Sequence, residues 1–270
     1  MSPQDFQFLS DLLKVKSGLV LTADKGYLVE SRLLPIARKR GLNTLEGLVG
    51  GLKRRDEALI RDVVEAMTTN ESFFFRDNTP FDNFKAHILP HLLKARADSK
   101  RIRIWSAAAS TGQEPYSLAM LLAEQKAALA GWRVEILGTD ISAEVLTRAR
   151  AGLYTQFEVQ RGLPIQLLVK YFKKEGDMWR IAPDIRGMVQ YREFNLLDGF
   201  TGLGRFDVVF CRNVLIYFDQ PTKAAVLDRL ADSMADDGML CLGAAETVLG
   251  LSSRFRPVKD RRGLYEVVRG

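Results

Sequence analysis

The residues able to do chemistry cluster where apolar runs end. From Trp105 to Met120 the chain reads WSAAASTGQEPYSLAM, passing from a strand end through tiny residues into a helix headed by Gln113 and Glu114. Tiny residues at a strand-to-helix turn let a ligand approach the backbone, and the helix start offers unpaired N–H groups. A phosphate cradle would need a Lys-Ser/Thr pair, and a dinucleotide fingerprint three spaced glycines. This turn has a single glycine, Gly112, and no lysine, and Glu114 would repel a pyrophosphate. It suits a small, polar, partly cationic ligand. A tight βα turn packed on a neighbouring helix is the structural alternative.

The same economy recurs at other strand ends. Ala107 to Glu114 follow a first strand, Asp140 a second, Asn195 and Leu196 a third, and Arg212, Asn213 and Val214 a fourth. In open parallel sheets, ligands bind at the carboxyl ends of strands beside the point where strand order reverses. An acid ending the second strand accepts ribose hydroxyls, or else caps the next helix. An Asn with an apolar neighbour suits the edge and face of adenine. Together the four sites point to an adenosine compound without a phosphate. S-adenosylmethionine fits, because Glu114 would welcome its sulfonium and ammonium groups. A further segment, NESFFFRD at 70–77, supplies Asn70, Ser72 and Arg76 at a domain junction, a common place for ligands. Its three phenylalanines are expected to pack where a helical domain meets a sheet domain.

Two kinds of element must position these residues. Up to about residue 69 the grammar is helical: an N-cap at Ser2 with Pro3 behind it, Phe6, Leu9, Leu12 and Leu13 at helical spacing, and Gly18 as a stop. Further helices are expected through YLVESRLLPIARKRG, kinked at Pro35, through LEGLVGGL, and from Asp56 to Met67. After Lys100 strands and helices alternate, which predicts a doubly wound, mostly parallel α/β sheet closed by an antiparallel hairpin over FRPVKDRRGLYEVVR. Between Gly152 and Val189 the alternation breaks, and KYFKKEGDMWRIAP reads as a small inserted hairpin.

The bulk composition excludes several classes. The chain has 270 residues, 47% hydrophobic and 27% charged, which is ordinary for a soluble globular protein. No apolar run approaches the roughly 20 residues of a membrane span, and the N-terminus lacks the form of a signal peptide. Cys211 and Cys241 lie in apolar runs and are expected to be reduced core thiols, consistent with a cytoplasmic location. His87 and His91 are four apart, but Pro90 lies between them and no third ligand is evident, so no metal is expected. The net charge of +6 permits nucleic acid, acidic membranes or an acidic protein partner. Nucleic acid is disfavoured, because RNVLIYF after the fourth strand lacks the Asp/Asn-Pro-Pro-Tyr/Phe of amino-methylating enzymes.

Taken together, NESFFFR, WSAAASTGQEPYSLAM, ILGTDIS and VVFCRNVLIYFD resemble the chemotaxis receptor glutamate methyltransferases, the CheR-type enzymes, over nearly the whole chain. The resemblance implies a class I methyltransferase domain with a seven-stranded sheet, a small all-helical N-terminal domain and an inserted antiparallel β-subdomain. The implied boundaries are 1–69 for the helical domain, 70–78 for a linker contributing to the cofactor site, and 79–270 for the methyltransferase domain. The insertion would occupy about 165–192. Asn70, Ser72 and Arg76 would line the cofactor site with Ala107; Glu114 would hold the methionine end and Asp140 the ribose. Asn195, Leu196, Asn213 and Val214 would surround the adenosine. Arg76 and Tyr217 would face the substrate carboxylate, with Arg76 alternatively on the cofactor's own carboxylate. Ser72 stands where the family usually has Thr, and Gln113 where an acid is common, so charge at 113 is dispensable.

The implied products are a glutamate methyl ester on a receptor's cytoplasmic helix and S-adenosylhomocysteine. Arg32, Arg38, Lys39, Arg40, Arg54 and Arg55 form a basic stretch whose only interspersed acid is Glu46, a cradle for a Glu-rich receptor helix. Contact with the membrane would come through the receptor alone. Some members grip a receptor pentapeptide with the inserted hairpin; the short turn at Glu175-Gly176-Asp177 leaves such tethering open.

Overall fold

A computed structural model describes residues 1–269. The chain folds as two compact units: Met1–Thr69 together with Tyr217–Thr222, and the remainder.

In the first unit, helix α1 (Pro3–Ser17) starts where the Ser2 hydroxyl accepts the Asp5 N–H at 3.1 Å. It stops at Gly18, whose φ of 78° is left-handed. Helices α2 (Gly26–Lys39), α3 (Leu45–Lys53) and α4 (Glu57–Met67) follow, the last two capped by the Thr44 hydroxyl and the Asp56 carboxylate. Pro35 lies within α2. Leu9, Leu13, Val29, Leu33, Leu48, Leu52 and Val63 form the core. The Arg32 guanidinium donates to the carbonyls of Met67 and Thr68 at 2.9 and 3.0 Å, capping the C-terminus of α4.

The short segment grouped with these helices is held at two points. The Val20 N–H donates to the Tyr217 carbonyl at 2.9 Å, and Lys14 Nζ lies 2.7 Å from Asp219. Asp219 also caps the helix Gln220–Asp232 by accepting the Thr222 N–H at 3.0 Å. The hydrogen bond from Lys14 and that cap hold its carboxyl well below the ordinary 3.8. A depressed carboxyl stabilises the folded state above its unfolded pKa and ceases to do so as the acid is protonated. The melting temperature is therefore expected to fall on acidification below about pH 4. Asp219→Asn should be less stable at neutral pH and show a shallower acid limb; an unchanged limb would contradict the pairing.

In the second unit the strands are β1 (Arg101–Ala107), β2 (Arg133–Asp140), β3 (Leu153–Thr155), β4 (Phe172–Glu175), β5 (Met178–Ile181), β6 (Val189–Glu193), β7 (Phe206–Cys211), β8 (Met234–Leu242), β9 (Phe255–Pro257) and β10 (Leu264–Val267). The main sheet has seven strands in the order β6-β2-β1-β7-β8-β10-β9. Its first five strands are parallel, and β10 is antiparallel to both β8 and β9. Strand order reverses at β1, which pairs with β2 on one side and β7 on the other. Buried along its whole length, β7 reads as a nearly continuous apolar run, whereas β1 starts with Arg and Ile alternating and is buried throughout only from Ile104 to Ala107. Trp105 is fully buried against Phe194, Phe200 and Phe206, and its indole N–H donates to the Thr139 hydroxyl at 2.9 Å. Cys211 and Cys241 are buried and unbridged, and burial pushes both thiols up.

The inserted sheet has three antiparallel strands in the order β3-β5-β4. Its edge strand β3 lies upstream of the 165–192 interval expected from sequence, and β6 belongs to the main sheet. Three residues that start directly after a helix carry too little periodicity to be read as a strand. Phe74 packs on Tyr154 and Phe172, and Phe75 on Phe81, so both belong to this unit's own core. A π-helical turn at Phe84–Ile88 precedes Pro90, which has no N–H for the regular ladder.

Candidate active site

The parallel strands end together on one edge of the sheet. Asp140 is in register with Glu193, Ala107 with both Thr139 and Cys211, and Cys211 with Leu242. The loops beyond these ends therefore open on one side, with the order reversal at β1 among them.

The turn after β1 explains its tiny side chains. Ala108, Ser110 and Gly112 have φ of 59°, 50° and 95°. Left-handed backbone favours small residues, and such outliers cluster at functional sites. A Cβ on Gly112 would lie 2.6 Å from the Tyr191 hydroxyl and 3.0 Å from the Ala149 Cβ. Gly112→Ala is expected to cost about 1–3 kcal/mol from strain and overpacking combined. A urea midpoint within error of wild type would show that the turn relaxes freely.

Around this turn the side chains form two connected groups. In the first, the Asp140 carboxylate accepts the Ser110 N–H at 2.9 Å and the Ser142 N–H at 3.0 Å. The Ser110 hydroxyl in turn donates to the Asn70 carbonyl at 2.6 Å, so Asn70, Ser110 and Asp140 are brought together. Asp140 is 5% exposed, and its rotation is set by these bonds.

The second group surrounds Arg212. The Glu114 carboxylate accepts the Ser106 hydroxyl at 2.8 Å and an Arg212 N–H at 2.8 Å. The same guanidinium donates to the Arg76 carbonyl and to Asp77, each at 2.8 Å. Arg212 thus ties the 70–78 segment to the helix N-terminus at Glu114. One cation between two carboxylates leaves one negative charge in the group, which still suits an ammonium or sulfonium ligand. Gln113 is buried and accepts the Thr111 hydroxyl at 2.8 Å, which a neutral amide serves well.

The remaining predicted positions fall as follows. Ser72 and Arg76 are half-buried; the Arg76 guanidinium donates to the Glu71 carbonyl at 2.9 Å and lies over the Phe73 ring at 5.4 Å. Asn195 follows β6 and accepts the Leu197 N–H at 3.0 Å, and the Leu196 carbonyl takes an N–H of Arg229 at 2.8 Å. Asn213 has φ of 58°, and the N–H groups of Asn213 and Val214 donate to Glu246 at 2.8 and 3.0 Å. Tyr217 is half-buried in the other unit. Of the basic stretch, Arg32 is turned to the α4 terminus and Arg40 pairs with Asp62, whereas Arg38, Lys39, Arg54 and Arg55 are exposed.

Sequence reasoning placed Arg212 at the end of the fourth strand without giving it a role, and it missed Glu246. The position of Arg212 directly after the buried strand β7 was the available signal. Glu246 lies among GAAETV beyond β8 and carries no local signal at all. Burial pushes its carboxyl up, against backbone N–H groups that hold it down.

The side-chain chemistry fits an adenosyl sulfonium amino acid: acids for hydroxyls and ammonium, close backbone approach, and no lysine in the turn to attract phosphate. Among the described residues no cluster of His, Cys, Asp and Glu could hold a metal, and no helix is long and apolar enough to cross a membrane.

Comparison with known proteins bears on the same residues. The family model described as CheR methyltransferase, SAM binding domain, matches residues 70–264, and that for the CheR methyltransferase, all-alpha domain, matches 4–68. Chemotaxis protein methyltransferase 1 of Pseudomonas aeruginosa is 42% identical, covering 96% of each chain. The chemotaxis protein methyltransferase of Vibrio parahaemolyticus is 39% identical over 98% of this chain and 96% of its own. That of Escherichia coli is 36% identical over 94% of this chain and 88% of its own.

Proposed function

Because the chain belongs to the CheR methyltransferase family, we propose that it methylates glutamate side-chain carboxylates on the cytoplasmic helices of chemoreceptors. The family carries S-adenosylmethionine-dependent methylation in chemotaxis. The observation that supports this reading best is the shared edge of β6, β2, β1 and β7, with Asp140, the Ala107–Glu114 turn and the Asn213 loop along it.

We assign Asp140 to the ribose hydroxyls, Glu114 to the methionyl ammonium, and Asn195, Leu196, Asn213 and Val214 to the adenosine, with Asn70, Ser72 and Ala107 completing the wall. Bound there, S-adenosylmethionine would supply an electrophilic methyl for a carboxylate oxygen, with its sulfur as the leaving group that keeps the electron pair of the C–S bond. A glutamate is already ionised at neutral pH, with an ordinary pKa near 4.3, so no general base is required. The chain's work is to desolvate that carboxylate, align it and exclude water. Arg76 fixes the substrate carboxylate. The exposed Arg38, Lys39, Arg54 and Arg55 steer an acidic receptor helix, an attraction that salt screens. The reaction belongs in the cytoplasm, where receptor signalling helices lie.

The test is incubation with methyl-labelled S-adenosylmethionine and, in separate tubes, receptor cytoplasmic fragments or RNA. Label on receptor, released by alkali as methanol, is the expected outcome. Alkali-stable label, or label on RNA alone, would overturn the assignment.

A further inference from the structure

The loop after β7 is held by an acid from elsewhere in the chain. The Glu246 carboxylate accepts four backbone N–H groups: Asn213 at 2.8 Å and Gly243 at 2.7 Å on one oxygen, Val214 at 3.0 Å and Ile216 at 3.3 Å on the other. The side chain is 9% exposed. Its partners on the loop are the amides of 213, 214 and 216, directly after the parallel strand β7. Asn213 among them is in the left-handed region, at φ 58°. The space is full: a Cβ on Gly243 would lie 2.7 Å from a Glu246 oxygen, 2.9 Å from the Asn213 side-chain nitrogen and 3.0 Å from its backbone nitrogen.

Successive N–H groups facing one point make an anion-binding concavity. Here the anion is the protein's own, so the loop's donors are satisfied before any ligand arrives. We propose that Glu246 is a positioning residue for the cofactor: its carboxylate holds the backbone of Asn213 to Ile216 in the conformation that presents Asn213 and Val214 to the adenosine. The inference rests on the adenosyl assignment above. It deepens that assignment by naming what pre-forms one wall of the site, and pre-formed walls raise affinity by removing an ordering cost. Glu246 touches neither substrate nor cofactor in this scheme. It acts through the main chain, so the charge of the carboxylate matters less than its two acceptor oxygens in one plane.

Glu246→Gln is the discriminating variant. The amide keeps the shape but replaces one acceptor oxygen with a donor that must face N–H groups, leaving buried donors unpaired. S-adenosylhomocysteine binding, measured by calorimetry well below the melting temperature, is expected to weaken about ten- to a hundred-fold. The KM for S-adenosylmethionine should rise in parallel, with kcat at saturation within about threefold of wild type. A residue that merely supports the fold would lower the melting temperature and leave the affinity at low temperature unchanged, and that result would overturn the proposal. If wild type itself fails to bind S-adenosylhomocysteine, the adenosyl assignment falls instead. Should the variant not fold, hydrogen exchange on wild type decides: the amides of 213, 214 and 216 are expected to be protected without ligand, and free exchange until ligand is added would contradict pre-formation.

Discussion

Arg212→Met is expected to destabilise the protein by about 3–5 kcal/mol and to reduce methyl transfer at least about a hundredfold. Arg212 is 5% exposed and joins Glu114, Asp77 and the Arg76 carbonyl through three hydrogen bonds of 2.8 Å. Methionine fills much of the same space but leaves Glu114, itself 9% exposed, as an ion without its cation. Breaking a buried pair from one side is costly for that reason, whereas removing both charges is often tolerated. Arg212→Met with Glu114→Gln should therefore recover about 1–2 kcal/mol of the loss, a coupling read from urea unfolding of the four proteins. It should not recover activity, since the tie to the 70–78 segment stays broken. Additive stability losses would mean that the pair is not coupled as its geometry implies.

The second large effect is at Asp140. Asp140→Ala is expected to weaken S-adenosylhomocysteine binding by at least about a hundredfold. Two changes add: the acceptor for ribose hydroxyls is lost, and the N–H groups of Ser110 and Ser142 lose the carboxylate that organises the turn. Asp140→Asn keeps one acceptor oxygen and should fall between alanine and wild type. Calorimetric titration measures both. Binding of Asp140→Ala within threefold of wild type would remove Asp140 from the site.

The alternation of strands and helices, the ends of the parallel strands, the cap at Ser2 and the helix start at Asp56 were legible in the sequence, because each rests on local pattern: apolar runs, turn residues and helix-start chemistry. The tiny residues of the Ala107–Glu114 turn were legible as a close approach. Their left-handed backbone at Ala108 and Ser110 was not, since neither residue type demands it. Arg32 looked like one more member of a basic surface. Its helix-capping role depends on carbonyls 35 and 36 positions away, which no local reading of charge can supply. The same holds for Glu246, whose partners are amides rather than side chains and so leave no mark on the sequence near it. Arg40 was read within a stretch holding one acid, yet Asp62 from a neighbouring helix pairs with it. Local chemistry locates strand ends and caps; long-range polar contacts decide which charges stay exposed.

The central claim is that the strand ends and the 70–78 segment meet on one adenosyl amino acid. A crystal structure with S-adenosylhomocysteine measures this most directly. The account predicts the Asp140 carboxylate within hydrogen-bond distance of the ribose hydroxyls, Glu114 facing the amino group, and Asn213 and Val214 against the adenosine. Ligand bound away from the shared edge of β2, β1 and β7, or Asp140 and Glu114 facing different cavities, would contradict it.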